Sequence, residues 1–439
     1  MFGDKVGHLG RVGSLTLAQR VSAMFSRGEP GAWYDPSDMS TLWQDSAGTV
    51  PVTAVEQPVG RILDKSGRGN HATQVTTTKR PVLSRRVNLF TQTENVSGAA
   101  WNANLFGNWT INGARSAAAA PSPRGDFTAT TISFTSPLIS VCVGQRAAVS
   151  PGIYRVSLWL RLTPGVSSPG SAFINIGVVN GNANAWVAPF SNVQNIGPQL
   201  DESWKMFTID HTVPPSGVNQ IELLINKGSS ADSCSVDVWG ASLTLATDAH
   251  LPYQWVNTPT DYDADPAKFP AYRSLDGVDD SHASATGGGG NAGFFFSAAV
   301  TPQGGAGTAR TLFSDAGTNT GYIVRLNTSN QLELSAGNGT TYTTIATAGT
   351  LAVGSTDIVQ AWDDGTNLNV KIGNGATASI ARPTVSAGTA GYTMGQDNGA
   401  STGYFNGRAY STIYRKDSGL TQVQREAVAL YQRQKARMP

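Results

Sequence analysis

Tyr272-Arg273-Ser274-Leu275-Asp276-Gly277-Val278-Asp279-Asp280 is the stretch on which the reading of this chain turns. It has the form of the start of a sheet that a much earlier segment must complete. Candidates for its strands lie far upstream, in Ala32-Trp33-Tyr34-Asp35-Pro36-Ser37-Asp38, in Leu63-Asp64-Lys65-Ser66-Gly67-Arg68-Gly69-Asn70-His71-Ala72-Thr73 and in Arg80-Pro81-Val82-Leu83. Asp-Pro, Gly-Arg-Gly-Asn and Arg-Pro mark turns there and leave only short strands around Thr41 to Trp43 and Gly60 to Leu63. So little strand cannot close a core alone, and its other half must lie downstream of about 190 intervening residues.

Those intervening residues carry a pattern of their own. Tyr154-Arg155-Val156-Ser157-Leu158-Trp159-Leu160-Arg161 alternates, as does Phe173-Ile174-Asn175-Ile176-Gly177-Val178-Val179. Met206 to Ile209, Gln220 to Ile225 and Ser235 to Leu243 follow as further strands, with Pro and Gly between them. After Phe269 the strands resume at Phe294 to Val300, Thr311 to Phe313, Tyr322 to Leu326 and Gln331 to Leu334. Ile358 to Trp362 and Asn367 to Ile372, joined through Asp363-Asp364-Gly365-Thr366, read as a hairpin.

The motifs of 31 to 83, taken with Asp276-Gly277-Val278-Asp279-Asp280 and the strands through Tyr414, resemble laminin-G-like (concanavalin A-like) jelly rolls of phage and prophage structural proteins. Asn88-Leu89-Phe90-Thr91 with Trp101, and Pro252-Tyr253-Gln254-Trp255-Val256 with Thr258-Pro259-Thr260, frame a segment similar to the carbohydrate-binding-module-like jelly rolls found in phage tail proteins. Its first and last strands are expected to be neighbours, so that its ends emerge close together as an insertion requires. The fold class expected is all-β, with two jelly-roll-type β-sandwiches, one inserted into the other, a short N-terminal helical arm and a C-terminal helix. The boundaries expected are 1–29 for an attachment arm, 30–86 and 263–439 for the interrupted sandwich, and 87–262 for the insert.

Composition agrees with this class. Gly numbers 49 and charged residues make up 14%, a balance that favours turn-rich β structure. With 31 Lys and Arg against 30 Asp and Glu, nothing in the charge favours nucleic acid or an anionic membrane, and neither is expected as a partner. Met1 to Ser14 lacks an apolar run of signal-peptide length. The expectation is a protein made in the host cytoplasm and located in the virion. Cys142 and Cys234 lie in strand-like runs as buried thiols or as a pair; two cysteines make no disulfide scaffold. Leu17, Val21, Met24 and Phe25 fall on one face of a short helix stopped by Gly28 and Pro30, and Thr421 with Gln424 caps a C-terminal helix. The N-terminal helix docks either on another virion protein or on its own sandwich.

Signs of chemistry are few. His8, His71, His211, His250 and His282 show no ligand spacing for zinc, and neither a Gly-x-Ser-x-Gly elbow nor a phosphate loop is present. Seven widely spaced glutamates lack the strand signature of jelly-roll glycosidases, so no catalytic residues and no enzyme activity are expected, with polysaccharide degradation as the rival class. Asp276, Asp279 and Asp280 offer oxygen ligands to calcium, as laminin-G-like modules sometimes do, or serve turn amides; no other cofactor is expected. Trp101, Trp109 and Trp186, near Gly or Asn, are the candidate sugar-stacking rings, whereas Trp159, Trp239 and Trp204 are assigned structural roles. Tetraglycine 287–290 reads as a flexible link. The resemblance implies a peripheral tail-fibre or receptor-binding protein of a phage that contacts host surface glycan, and head decoration or head fibre is the alternative. Other virion proteins are expected as partners through the arm, and a homo-oligomer, with a trimer favoured.

Overall fold

The computed structural model describes residues 15–101, 113–116, 119–134, 141–166, 174–182, 185–187, 192–214, 217–227, 233–304, 307–398, 403–417 and 419–439. Its strands form two sandwiches, and the chain passes from one to the other and back. The opening stretch behaves as its sequence demands. Strand Tyr272–Asp276 pairs antiparallel with Val82–Ser84, placing Tyr272 opposite Ser84 and Ser274 opposite Val82. Its other edge pairs with Asn406–Arg415, which also takes Gly31–Tyr34. Together with Phe294–Pro302, Asp357–Asp363, Asn367–Ile372 and Ala378–Ala381 these make an eight-stranded sheet. The facing nine-stranded sheet runs from Leu42–Trp43 through Arg61–Ile62, Ala72–Thr73, His282–Ser284, Tyr392–Met394, Arg310–Ser314, Thr320–Leu326 and Gln331–Asn338 to Tyr342–Thr350. Residues from both sides of the insert thus share one core, in which Tyr34, Ile62, Leu83, Leu275, Phe296 and Phe313 are all buried.

The insert has a separate core. One five-stranded sheet holds Lys205–Val213, Gly152–Leu162, Cys234–Leu245, Thr130–Phe134 and Gly113–Arg115 in that order. The other holds Ala185–Trp186, Ile174–Asn182, Gln220–Lys227 and Val141–Ala148, with Val193–Asn195 also on Ile174–Asn182. Between them lie Ile132, Val156, Leu158, Leu160, Ile176, Leu223, Val236 and Leu243. Cys234 is buried in this core.

Gln254 secures the place where the chain enters and leaves the insert. Its side-chain oxygen accepts from Val87 N (2.8 Å) and Asn88 N (3.0 Å), and its amide donates to Arg85 O (3.0 Å) and Asp263 O (2.9 Å). Asn88 extends the staple, donating to Ala241 O and accepting from Leu243 N. The ends of the insert therefore lie side by side, held by groups that burial obliges to be hydrogen-bonded. Asp248 of the insert reaches Arg408 of the other sandwich at 2.6 Å, with both side chains buried.

Of the two dockings expected for the N-terminal helix the structure takes the second, and one further expectation needs correction. Helix α1 (Leu17–Ala23), capped by Thr16 and Gln19, does not offer its apolar face outward: Val21, Met24 and Phe25 are buried against Trp33, Phe295 and Ile413 beside helix α2 (Gln422–Lys435). The exposed face that suggested an attachment arm is used within the chain itself; residues 1–14 lie outside the described residues. Nor is the tetraglycine a loose link. Gly288 N donates to Ala390 O (2.8 Å), Gly289 N donates to Asp315 Oδ2 (3.1 Å), and a Cβ on Gly288 would stand 2.2 Å from Gly391 O. Only residues without side chains pack that closely.

Candidate functional site

Strands Lys205–Val213, Gly152–Leu162 and Cys234–Leu245 present a concerted outer face. In Gly152–Leu162 the inward set is Tyr154, Val156, Leu158, Leu160 and Leu162, all buried, so period-two geometry sends Arg155, Ser157, Trp159 and Arg161 outward. Cross-strand register lines up three outward rows: Met206, Trp159 and Trp239; Thr208, Ser157 and Ser242; Asp210, Arg155 and Thr244. A register shift between Trp239 and Ser242 lets both point outward although three positions apart.

Gly240, at the shift, has φ +66°, a conformation in which glycine meets no Cβ penalty. A Cβ there would stand 3.4 Å from Trp159 Cδ1 and 3.8 Å from two ring atoms of Tyr253. Leaving it out opens a gap between two half-buried aromatic rings. The 246–253 segment returns over the sheet to wall this gap with Ala249, Leu251 and Pro252, and Met206, 55% exposed, forms the opposite rim. The groove has a volume of about 190 Å3.

The rings are held from behind. Trp239 is buried, its centroid 5.0 Å from that of Tyr253, its Nε1 donating to Thr128 Oγ1 (2.9 Å) and its face covered by the Arg124 guanidinium at 4.7 Å. Tyr253 hydroxyl bonds Thr93 Oγ1 at 2.7 Å. Burial, then the Glu94 carboxylate, pushes the Tyr253 phenol far above its ordinary range, so it stays neutral. At the far end Arg155 donates two bonds to Asp210 (2.7 and 2.8 Å), and that pairing holds the Asp210 carboxyl below the usual carboxylate range. The result is an aromatic cleft edged by hydroxyls and a guanidinium, suited to a ligand with one apolar face and a polar rim.

The rings singled out from sequence fall elsewhere. Trp101 is fully buried, its centroid 6.1 Å from that of Phe90 and its Nε1 donating to Gln92 O at 3.0 Å, so it is a core residue and cannot stack on a sugar. Trp109 lies outside the described residues. Trp186 has its backbone paired with Gly181, and its side chain is outside the described set. Conversely Trp159, read as core, points outward and is half-buried at the groove. The signal was available: in Arg155-Val156-Ser157-Leu158-Trp159-Leu160-Arg161 the tryptophan has the parity of the polar residues.

Asp276, Asp279 and Asp280 do converge, with carboxylate oxygens within 4.8 Å of one another. Turn bonding accounts for much of that: Asp276 Oδ1 accepts from Val278 N and Asp279 N, and Asp280 Oδ2 accepts from Asp276 N. Burial, followed by the two neighbouring carboxylates, pushes Asp280 up to about 6. These three are the described residues that could hold a cation.

No protein-family model matches the chain, and no curated protein matches it. Among solved structures, part of it is similar to the enzymatically active domain of tailspike protein 4 of bacteriophage CBA120, at 14% identity and TM-score 0.27 over 37% of this chain and 22% of that one. A second is the receptor-binding domain of botulinum neurotoxin type G, at 11% identity and TM-score 0.30 over 39% of this chain and 43% of that one. A third is the sialidase carbohydrate-binding module of Ruminococcus gnavus bound to sialyllactose, at 12% identity and TM-score 0.27 over 32% of this chain and 83% of that one. Likenesses this partial leave the reading to the chain's own residues.

Proposed function

We propose that this chain is a phage virion protein, of the peripheral tail-fibre or receptor-binding type, that binds host surface glycan through the outer groove of its inserted sandwich. The observation that carries the proposal is the open gap over Gly240 between Trp159 and Tyr253. A pyranose offers an apolar face of C–H groups ringed by hydroxyls. Stacking that face on an indole supplies affinity that hydroxyl hydrogen bonds, exchanged against water, do not. Ser157, Thr208, Ser242 and Arg155 stand where the rim hydroxyls would lie. The virion setting rests on the sequence motifs at 31–83, 88–91, 252–260 and 272–280.

Binding without hydrolysis is part of the reading. Glycosidases need two carboxyl groups flanking the bond. Here Asp248, the carboxylate lining the groove, is buried and paired with Arg408, and Asp210 is held by Arg155. The test is an array of bacterial surface polysaccharides probed with the intact protein, paired with electron microscopy of virions carrying a label on this chain. Selective retention without release of reducing ends, and label on a peripheral fibre, are expected. Absence of glycan retention would reduce the insert to a spacer, and release of reducing ends would make it an enzyme.

A further inference from the structure

We propose that two copies of this chain join edge to edge through strand Tyr342–Thr350, each adding the other's strand antiparallel about a two-fold axis. The strand ends the nine-stranded sheet and, among the described residues, pairs with Gln331–Asn338 alone. Asn338 N donates to Thr341 O at 3.0 Å, and this closing bond fixes the alternation. Thr343 and Ile345 turn their backbone groups to the neighbouring strand, so Tyr342, Thr344 and Ala346 turn theirs to the open side.

The rest of the sandwich treats its edges differently. At the opposite end of the sheets, Val82–Ser84 is covered by residues 56–59, with Glu56 N donating to Leu83 O and Leu83 N to Gln57 O, while Leu42–Trp43 is covered through Val52 N to Leu42 O. Soluble proteins otherwise protect an edge with charge, proline, a bulge or a strong twist, and the register shift of this edge lies beyond Ala346, outside the 342–346 stretch. Residues 334–356 contain neither a charged residue nor a proline. Ala378–Ala381, the edge of the other sheet on the same side and packed against Tyr342–Thr350, is uncharged as well.

Self-pairing is the occupant this chemistry selects, because an uncharged edge meets its own copy without like-charge repulsion and a two-fold interface must be self-complementary. Centring the axis on Thr344 sets Thr344 opposite its counterpart and Tyr342 opposite Ala346, with about six new backbone hydrogen bonds. Thr344 is exposed, and its hydroxyl is 2.7 Å from Ser335 Oγ, which keeps the side chain on the outer face and the edge clear.

Sedimentation equilibrium of the full chain, with amide hydrogen exchange across 338–350, tests this. The intact protein is expected at twice the chain mass at micromolar concentration, with slow exchange at the Thr344 and Ala346 amides. Ala346→Pro deletes a donor that the intramolecular ladder does not use, and Thr344→Lys adds an edge charge without touching the backbone. Either should halve the mass and raise exchange at these amides at least tenfold, with the melting transition preserved. A monomer at every concentration, a trimer, or a dimer that a folded Thr344→Lys variant leaves intact would overturn the proposal.

Discussion

Glu222 shows how much one buried group can report. Its residue is 1% exposed, Oε2 has no hydrogen-bond partner among the described residues, and burial pushes the carboxyl up to about 7 from 4.5. A folded pKa above the unfolded one means that the folded state holds the proton more tightly. The stabilisation is therefore complete below about pH 4.5 and is lost as pH rises through 7. Glu222→Gln should flatten the fall in melting temperature between pH 5 and 8 relative to the parent; an unchanged slope would show that Glu222 ionises freely. Gln254 carries a different load. Gln254→Ala would strand three buried backbone groups and one half-buried one where the chain crosses between sandwiches, at a cost of roughly 3 kcal/mol or more, read as a lower denaturant midpoint. The two tryptophans separate by the same logic: Trp101→Ala removes core and should cost roughly 3 to 5 kcal/mol, whereas Trp159→Ala should cost about 1 kcal/mol. Neighbouring Gly and Asn pointed to Trp101 as a surface ring, but such residues report local turns, not the face a side chain takes. Strand parity is the more direct signal, and it marks Trp159 as outward. Tyr253 was beyond sequence reading, because its place beside Trp159 depends on a returning loop and on the register shift at Gly240.

At the scale of elements, amphipathic patterns were legible and their partners were not. The apolar stripe of α1 is plain in Leu17, Val21, Met24 and Phe25, but a stripe does not say what covers it. The answer needs Trp33 from one side of the insert, Phe295 and Ile413 from the other, and α2 at the end of the chain. A chain beginning at residue 30 should consequently expose these residues, melt several degrees lower and bind hydrophobic dye; an unchanged transition would show that α1 is a dispensable arm. Hairpins with local turns, such as Asp357–Asp363 with Asn367–Ile372, are written in adjacent residues and were found directly. The two-residue strands Arg61–Ile62 and Ala72–Thr73 pair with each other, and Ala72–Thr73 joins them to the rest of the sheet through Ala283, over 200 residues away; the first was legible as Gly60 to Leu63, whereas the second, so dependent on a distant strand, was not.

For the whole molecule, the interleaved plan follows from an incomplete core. Residues 31–84 hold too few strands to bury Tyr34, Ile62 and Leu83, and strand Tyr272–Asp276 is the piece that completes them. The insert owns its core outright, so residues 88–262 expressed alone should melt in one cooperative transition; a broad, non-cooperative melt would show that it borrows stability from its host. Glycan recognition is the central functional claim. Its most direct test is calorimetric titration of the intact protein and of Trp159→Ala with the polysaccharide that the array selects. The account expects affinity to fall at least about tenfold, close to 1.4 kcal/mol, while the melting temperature stays within a few degrees of the parent. Equal affinity in a folded Trp159→Ala variant would contradict it.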